Sequence, residues 1–397
     1  MRKILIAGGG IGGLAAALAC HRGGADVELF ERAAEFTEVG AGIQLGPNVV
    51  SVLHGWGLQH ALAGVCAFPP RLQVRSALSG AELGVLRLGA TAQARYGAPY
   101  ATIHRADLQA LLLAAVQQTG ARLKLERAAS GFEQRTDGVT LHTSDGQQAQ
   151  GDVLVGADGL WSRVRQQLLG DGAPVATGHL AYRALVPQHG LPERLRSHQI
   201  TAWLGPRLHV VHYPVRCGEW LNVVAIVPGQ MYGDAAYWDH SANAAELRQL
   251  LSATCSPVQD LIHAIDHWRL WALSIRAPMR GPHQQARGRV ALLGDAAHPM
   301  LPYLAQGAGM AIEDAAELGR VMSAASSAPG EGANASSAAL LGQYAARRWQ
   351  RNARVQARAI RNGTIFHATG PLRWGRDAAM KLLGERLLDL PWLYRGG

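Results

Sequence analysis

Residues 3–31 read KILIAGGGIGGLAAALACHRGGADVELFE, and their order decides the fold. Lys3–Ala7 is an apolar run suited to a buried strand. Gly8-x-Gly10-x-x-Gly13 is the turn, Leu14–His21 is Ala-rich and helical, and Val27–Phe30 is a second strand closed by Glu31. A strand, a glycine turn, a helix and a second strand make a βαβ unit that opens a doubly wound parallel sheet. The glycines let backbone N–H groups approach a pyrophosphate at a helix N-terminus. Glu31, 18 residues beyond Gly13, stands where a ribose hydroxyl would be bound. GxGxxG alone is a weak signal; strand, helix and terminal acid together make it strong. Arg2 and Lys3 ahead of the uncharged run Ile4–Cys20 imitate a signal peptide. A run so rich in glycine makes a poor continuous helix, and its 17 residues are short for a membrane span.

The chain has 397 residues, 47 of them glycine, with 48% apolar and 17% charged residues. At roughly 150 residues per domain this suggests two or three domains, or one large α/β domain with an insertion. Apolar content excludes a disordered chain, and neither a Gly-x-y period nor charged heptads occur. The net charge is +9, yet residues 341–397 hold 11 Lys+Arg against 3 Asp+Glu. The body is thus nearly neutral and the tail basic, which argues against a nucleic-acid partner. Arg347, Arg351, Arg354, Arg358 and Arg361 fall on one helical stripe, either solvated or paired with body carboxylates, or else an anion or subunit contact. Cys20, Cys66, Cys217 and Cys255 form no CxxC, so neither a zinc ribbon nor a dithiol centre is indicated. No other stretch reads as membrane-spanning, and a soluble cytoplasmic protein, monomer or homodimer, is expected.

Further along, Asn48–Gly55 and Asp107–Thr119 read as helices, with Asp107 as an N-cap. Leu123–Gln134, Gly138–Thr143 and Asp152–Ala157 read as strands. Short β-like runs follow at Ala181–Pro187, Ile200–Leu204, Leu208–Pro214 and Leu221–Val227, then one helical segment, Ala244–Ile265. Val290–Leu293 is a fresh buried strand and Ala308–Met322 a helix. Ser323–Ala339 is expected to be a loop, followed by a basic helix over Leu340–Arg361. The fold class is therefore α/β: a Rossmann-like domain over 1–74, 100–176 and 272–340, a mostly β substrate domain over 75–99 and 177–271, and C-terminal helices over 341–397.

Two more motifs follow buried strands: Gly156-Ala157-Asp158-Gly159 continuing to Arg165, and Gly294-Asp295-Ala296-Ala297-His298-Pro299 continuing to Gln306-Gly307-Ala308-Gly309-Met310. With Gly40–Asn48 and His104–Leu108, they make the whole chain resemble the group A flavoprotein aromatic monooxygenases, of the salicylate and 3-hydroxybenzoate hydroxylase type. The ending, from Arg361-Asn362-Gly363 to Trp392-Leu393-Tyr394, is similar to that family as well.

The resemblance implies bound FAD, with NADH or NADPH as a transient co-substrate and O2. The implied FAD contacts are Gly8, Gly10, Ile11, Gly13, Glu31, Arg32, Gln44, Arg105, Asp158, Asp295, Pro299, Gly307, Ala308, Gly309 and Met310. Within that set Asp295 would bind the ribityl chain. Gly307–Met310 would point a helix N-terminus at the flavin N1–C2=O edge, where reduced flavin is anionic. Arg105 would reach the phosphate. Asp158 is either a cofactor contact or a turn residue. The implied reaction is hydroxylation of a phenolic or hydroxy-heteroaromatic acid through a flavin C4a-hydroperoxide, and it needs no metal. The alternative is a flavin oxidoreductase without oxygen insertion.

Strand alternation over Leu208–Pro214 puts His209 and Tyr213 on one face and His212 on the other, which argues against a shared metal site. Relatives carry such an H-x-x-x-Y pair facing the ring, so His209 and Tyr213 are the catalytic candidates. His209 is either a base for a phenol or a hydrogen-bonded strand histidine. Arg183 is either an anchor for a substrate carboxylate or a salt-bridged arginine. Pro302 and Tyr303 would border the pocket, and His298 reads as structural. Two departures stand out: Ile275 occupies an acid's place ahead of Arg276, and His283–Arg287 lacks a tryptophan common in relatives.

Overall fold

The computed structural model describes residues 1–36, 41–230, 240–327 and 336–396. Two compact units are interleaved in sequence. The first comprises 1–38, 108–175 and 275–358; the second comprises 39–107, 176–274 and 359–397.

The first unit holds a six-stranded sheet. Its order is Ala286–Arg287, Val290–Leu292, Val153–Gly156, Lys3–Ala7, Asp26–Phe30, Arg122–Lys124. All pairings are parallel except the first. Central parallel strands are buried on both faces, which is why they read as unbroken apolar runs. Each glycine motif begins where one of these strands ends. The Ile11–Arg22 helix has nine of twelve residues buried, an all-round apolar surface fitting an element covered on every side. Gly8 has φ +107°, and a Cβ there would lie 2.3 Å from the Ala157 carbonyl oxygen. A Cβ on Gly13 would lie 1.8 Å from the Gly8 oxygen. Only glycine permits this approach.

The second unit is built on an eight-stranded, mostly antiparallel sheet. Its order is His240–Ala242, Trp268–Ile275, Val175–Pro187, Trp220–Pro228, Leu208–Val215, Ile200–Gly205, Arg71–Ser76, Glu82–Arg87. One face packs Tyr182, Val210, Leu221, Val223 and Ala225 against helices Ala244–Leu250 and Ser256–His263. Polar side chains collect on the opposite face.

Several expectations are corrected. Residues 39–74 and 100–107 belong with the β-rich unit, because Arg71–Ser76 pairs with Ile200–Gly205 and Gly42–Leu45 pairs with Ala101–His104. The C-terminal segment is not separate: residues up to 358 join the first unit and the remainder the second. The 244–265 segment is two helices, since Pro257 lacks an N–H and opens a new first turn. Asp107 is not an N-cap; the helix starts at Arg105, and Asp107 lies in its first turn. Leu123–Gln134 splits into Arg122–Lys124 and Ala129–Gln134. The helix expected to end at Met322 runs from Gly307 to Ser327, and the basic helix runs from Ser337 to Phe366; the centre of the expected loop, 328–335, lies outside the described residues. No helix among the described residues is long and apolar enough to cross a membrane.

Replacing Gly13 by alanine forces the helix away from the turn. Overpacking against backbone costs about 3 kcal/mol, so Gly13→Ala should unfold several degrees below wild type in a thermal melt. An unchanged melting temperature would contradict the contact.

Candidate active site

In the first unit the glycine turn, Glu31, Asp295 and the Gly307 helix start all follow carboxyl ends of parallel strands or lie close in sequence to one, where open α/β sheets bind ligands. Gly10 caps the Ile11–Arg22 helix with no side-chain partner, and a Cβ there would meet nothing within 4 Å. The space in front of those N–H groups is therefore open for a phosphate. Ile11 is buried behind the turn. Glu31 accepts from the backbone N–H of Gly9 at 2.6 Å and of Ala33 at 2.9 Å, which fixes its carboxylate beside the turn. Arg32 is exposed. Asp295 is exposed on a single 3-10 turn, and a Cβ on Gly307 would meet open space. Ala308 is half-buried, Gly309 and Met310 are buried, and the Met310 sulfur accepts from Arg348. An open glycine cradle, a fixed carboxylate, a second acceptor and a second open helix start fit a dinucleotide.

Asp158 takes a different role. Its carboxylate accepts from the Ser162 hydroxyl and from the N–H groups of Arg163 and Val164, so it caps the Arg163–Leu169 helix. Burial raises its pKa while these hydrogen bonds pull it back. Of its two readings, the turn residue is the one this geometry favours. Arg165, quoted in the motif but given no role, is buried; it donates to the Ala296 and Ala297 carbonyls and pairs with Asp171. It thereby holds the turn that carries Asp295. Arg276 pairs with the same Asp171, which supplies an acid although Ile275 does not.

His298 is structural. It hydrogen-bonds Asp314 at 2.5 Å, and Asp314 also accepts from Arg348 at 2.7 Å and Asn352 at 2.9 Å. Burial alone would raise the Asp314 carboxyl, but His298 and Arg348 outweigh it and lower it to about 2. The Pro299 carbonyl accepts from Gln356, Pro302 opens a short 3-10 turn, and Tyr303 is buried, which pushes its hydroxyl pKa up. The arginine stripe faces carboxylates where its partners are described: Arg347 pairs with Glu317 and Arg351 with Glu313.

In the second unit the strand register assembles the polar face. Arg183 lies opposite Val224, Val224 opposite Val211, and Tyr213 opposite Asn222. Alternation then puts His179, Arg183, His209, Tyr213 and Asn222 on one side. Tyr213 donates to the Gly42 carbonyl at 2.7 Å, and Asn222 accepts from the Gly42 N–H at 2.6 Å. The proton of Tyr213 is thus committed to the backbone, which makes it a positioning residue rather than an acid. Gln44, next but one to Gly42, accepts from Tyr100 at 2.8 Å. Arg183 stacks on Trp271, 4.5 Å from the ring centroid. Burial lowers its pKa to about 10, with Arg105 adding to the shift and Tyr213 opposing it. Among the described residues no carboxylate pairs with it, and its Nε has no partner. His209 is buried and bonds His367 at 2.8 Å. His212, on the other face, stacks on Trp203 and is lowered to about 4 by burial. Trp271, Asn222 and His367 escaped the sequence reading: the first two sit in strands as ordinary members of an alternation, and His367 lies 158 residues from its partner.

Comparison with known proteins follows this geometry. Residues 1–359 match the family model described as FAD binding domain. The chain is 37% identical to 3-hydroxybenzoate 6-hydroxylase of Polaromonas naphthalenivorans, over 98% of this chain and 95% of that protein. It is 37% identical to 6-hydroxynicotinate 3-monooxygenase of Bordetella bronchiseptica, over 80% and 82%. It superposes on Klebsiella pneumoniae HpxO complexed with FAD and uric acid with a TM-score of 0.84 and 27% identity, covering 98% of this chain and 94% of that one.

Two outcomes are expected. Gly10→Ala should keep the wild-type melting temperature of the apoprotein yet bind FAD about tenfold more weakly, close to 1.4 kcal/mol, as read by flavin fluorescence titration. Because the folded pKa of Asp314 lies below its ordinary 3.8, it contributes about 2 kcal/mol above pH 4 that is lost as pH falls toward 2. Asp314→Asn should therefore be less stable than wild type at neutral pH, with the gap closing below pH 3 in pH-dependent denaturation.

Proposed function

The chain belongs to the FAD-binding family of flavin-dependent aromatic monooxygenases, and from that premise we propose that it hydroxylates a phenolic or hydroxy-heteroaromatic acid bound over the polar sheet face. The single observation that carries the substrate class is Arg183: a half-buried side chain stacked on Trp271, its Nε inaccessible and without a hydrogen-bond partner, and with no carboxylate partner among the described residues. A buried cation is costly unless something pairs with it. A substrate carboxylate would complete the site, and guanidinium matches its geometry with two parallel hydrogen bonds. The named relatives act on hydroxybenzoate and hydroxynicotinate, acids of this class.

FAD, once bound, supplies the hydride acceptance and oxygen activation that no side chain provides, with NADH or NADPH as reductant. The chain's own residues do the rest. Gly8, Gly10, Gly13, Glu31, Asp295 and Gly307–Met310 hold the dinucleotide. Arg165 and Asp158 keep their loops in place. Tyr213 and Asn222 clamp Gly42. Arg183 orients the substrate acid, and His209 stands on the same face as the base for its hydroxyl. The apolar side chains between them, Val211 and Val224, offer the ring a dry surface.

The experiment is a panel of 3-hydroxybenzoate, salicylate and 6-hydroxynicotinate with each nicotinamide nucleotide under labelled O2. Labelled oxygen in the product is expected; NAD(P)H oxidation that yields only peroxide with every acid would sink the reading. Arg183→Gln should raise KM for the preferred acid about tenfold or more, as for a lost charged hydrogen bond, with kcat little changed. The same substitution should leave the KM of a carboxylate-free phenol unaltered.

A further inference from the structure

The helix Gly370–Leu383 has an inner and an outer face, and only the inner one is closed. Arg376 and Met380 lie on the inner face. Met380 packs with Val74, Leu83 and Leu204 of the second unit's sheet, and Arg376 donates to the Ile365 and Phe366 carbonyls. On the outer face Pro371, Trp374, Gly375, Ala378 and Leu382 fall at i, i+3, i+4, i+7 and i+11, one stripe along the helix. All five are exposed, Trp374 at 64% and Leu382 at 87%. Leu372 and Leu383, also exposed, flank the stripe on one side; Asp377 and Lys381 flank it on the other. Among the described residues nine large apolar side chains are exposed, and four of them belong to this one helix. Exposed apolar residues that stand singly are ordinary, whereas a contiguous patch marks a contact.

Gly375 points the same way. It sits inside the helix, where glycine costs about 1 kcal/mol relative to alanine. A Cβ there would meet nothing within 4 Å, so this chain's own packing does not require a bare position. A helix laid on the outer face would, because glycine and the small Ala378 let two helix axes come close. The stripe is also self-complementary. In an antiparallel pair of these helices crossing at Ala378, Trp374 of each copy comes level with Leu382 of the other. A two-fold axis there pairs each flank with its own counterpart. Leu372 then lies beside Leu383, and Lys381 lies within a turn of Asp377, which also accepts from Arg376 of its own helix. A parallel pair would set Lys381 against the apolar flank instead.

We propose that the outer face of Gly370–Leu383 is an interface with a second copy of this chain, the two helices antiparallel across a two-fold axis. A groove lined by Leu383, Arg386 and Pro391 continues from the stripe and supplies a polar rim. The area suits a copy of the same chain. A buried aromatic side chain covers about 150–250 Å², so Trp374 and its three leucines offer roughly 400 Å² on each protomer. Two copies bury about 800 Å² of ridge, and the rim with Pro371, Gly375 and Ala378 brings the total toward the ~1,200 Å² at which specific interfaces begin. Any other partner would need its own apolar stripe with a gap for Trp374, which this chain already carries. Helices that lie on membranes carry Lys and Arg along the border of the apolar face; here that border holds the balanced pair Asp377 and Lys381.

The test uses the FAD-loaded full chain in sedimentation velocity over a concentration series, where wild type should be a dimer. Trp374→Glu and Leu382→Glu should each raise the dimer dissociation constant about thirtyfold or more, as for a lost hot spot. FAD content and circular dichroism should stay at wild type, because both side chains are exposed in the single chain. Gly375→Leu should weaken the dimer as well, although nothing within the chain opposes the added side chain. In a Cys217→Ser background, which removes the exposed native thiol, Ala378→Cys should form a covalent dimer under mild oxidant. Ser252→Cys, exposed elsewhere in the same unit, should not. A wild type that stays monomeric at every concentration overturns the proposal, and binding of that monomer to anionic phospholipid vesicles would assign the face to a membrane instead. A dimer that survives all three substitutions overturns it too, since another surface then holds the copies together. Loss of the dimer without the Ala378→Cys cross-link overturns the antiparallel crossing.

Discussion

The contact between Gly13 and the Gly8 carbonyl sets the first unit. With 1.8 Å between a would-be Cβ and that oxygen, the helix begins directly behind the turn, and the turn lies against Ala157, just past the neighbouring strand. Three chain segments are brought to one place by the absence of side chains. Their N–H groups then have no intrahelical partners, and the space in front of Gly10 is open. Affinity for a dinucleotide follows from this geometry because a phosphate satisfies donors that the fold itself leaves over.

A different constraint governs the second unit. Its sheet has two faces, and side chains alternate between them. One face is closed by apolar packing against two helices. The candidate site residues of this unit therefore share the other, and the strand register decides which of them meet. Arg183, Tyr213, Asn222, His179 and His209 come from three strands 175–187, 208–215 and 220–228. A one-residue slip would turn each of these strands' polar residues into the apolar core. Gly42 resists such a slip, being held through its carbonyl by Tyr213 and through its N–H by Asn222.

Much of this was legible in the chain. The opening βαβ unit, the later glycine motifs and the strand that carries His209 and Tyr213 all announce themselves by local pattern, since backbone approach demands glycine and burial demands apolar runs. What was not legible is pairing across distance. Arg71–Ser76 was not recognised as a strand, because its half-exposed, arginine-bearing sequence gains its place by pairing with 200–205 on one side and 82–87 on the other. His367 carries no signal of its own in Phe366-His367. The resemblance left Asp158 as either a cofactor contact or a turn residue; only the structure shows its oxygens accepting from the start of the helix that follows.

Asp158 and Arg183 together show how to separate structural from functional polar groups in such a site. Both are half-buried, and both have pKa values moved by loss of solvent around the charged group. Asp158 receives three hydrogen bonds from its own chain, so its cost of burial is offset within the fold. Arg183 has an aromatic face and nothing of opposite charge among the described residues. A cation–π contact is worth about 2 kcal/mol when desolvated, less than the several kcal/mol that burying an ion costs. On the proposed reading, an arriving carboxylate supplies the partner that the fold does not. Binding energy stored this way favours ligands with a carboxylate over neutral phenols of the same shape. The polar group left incomplete by the fold is thus the one we propose to specify the substrate.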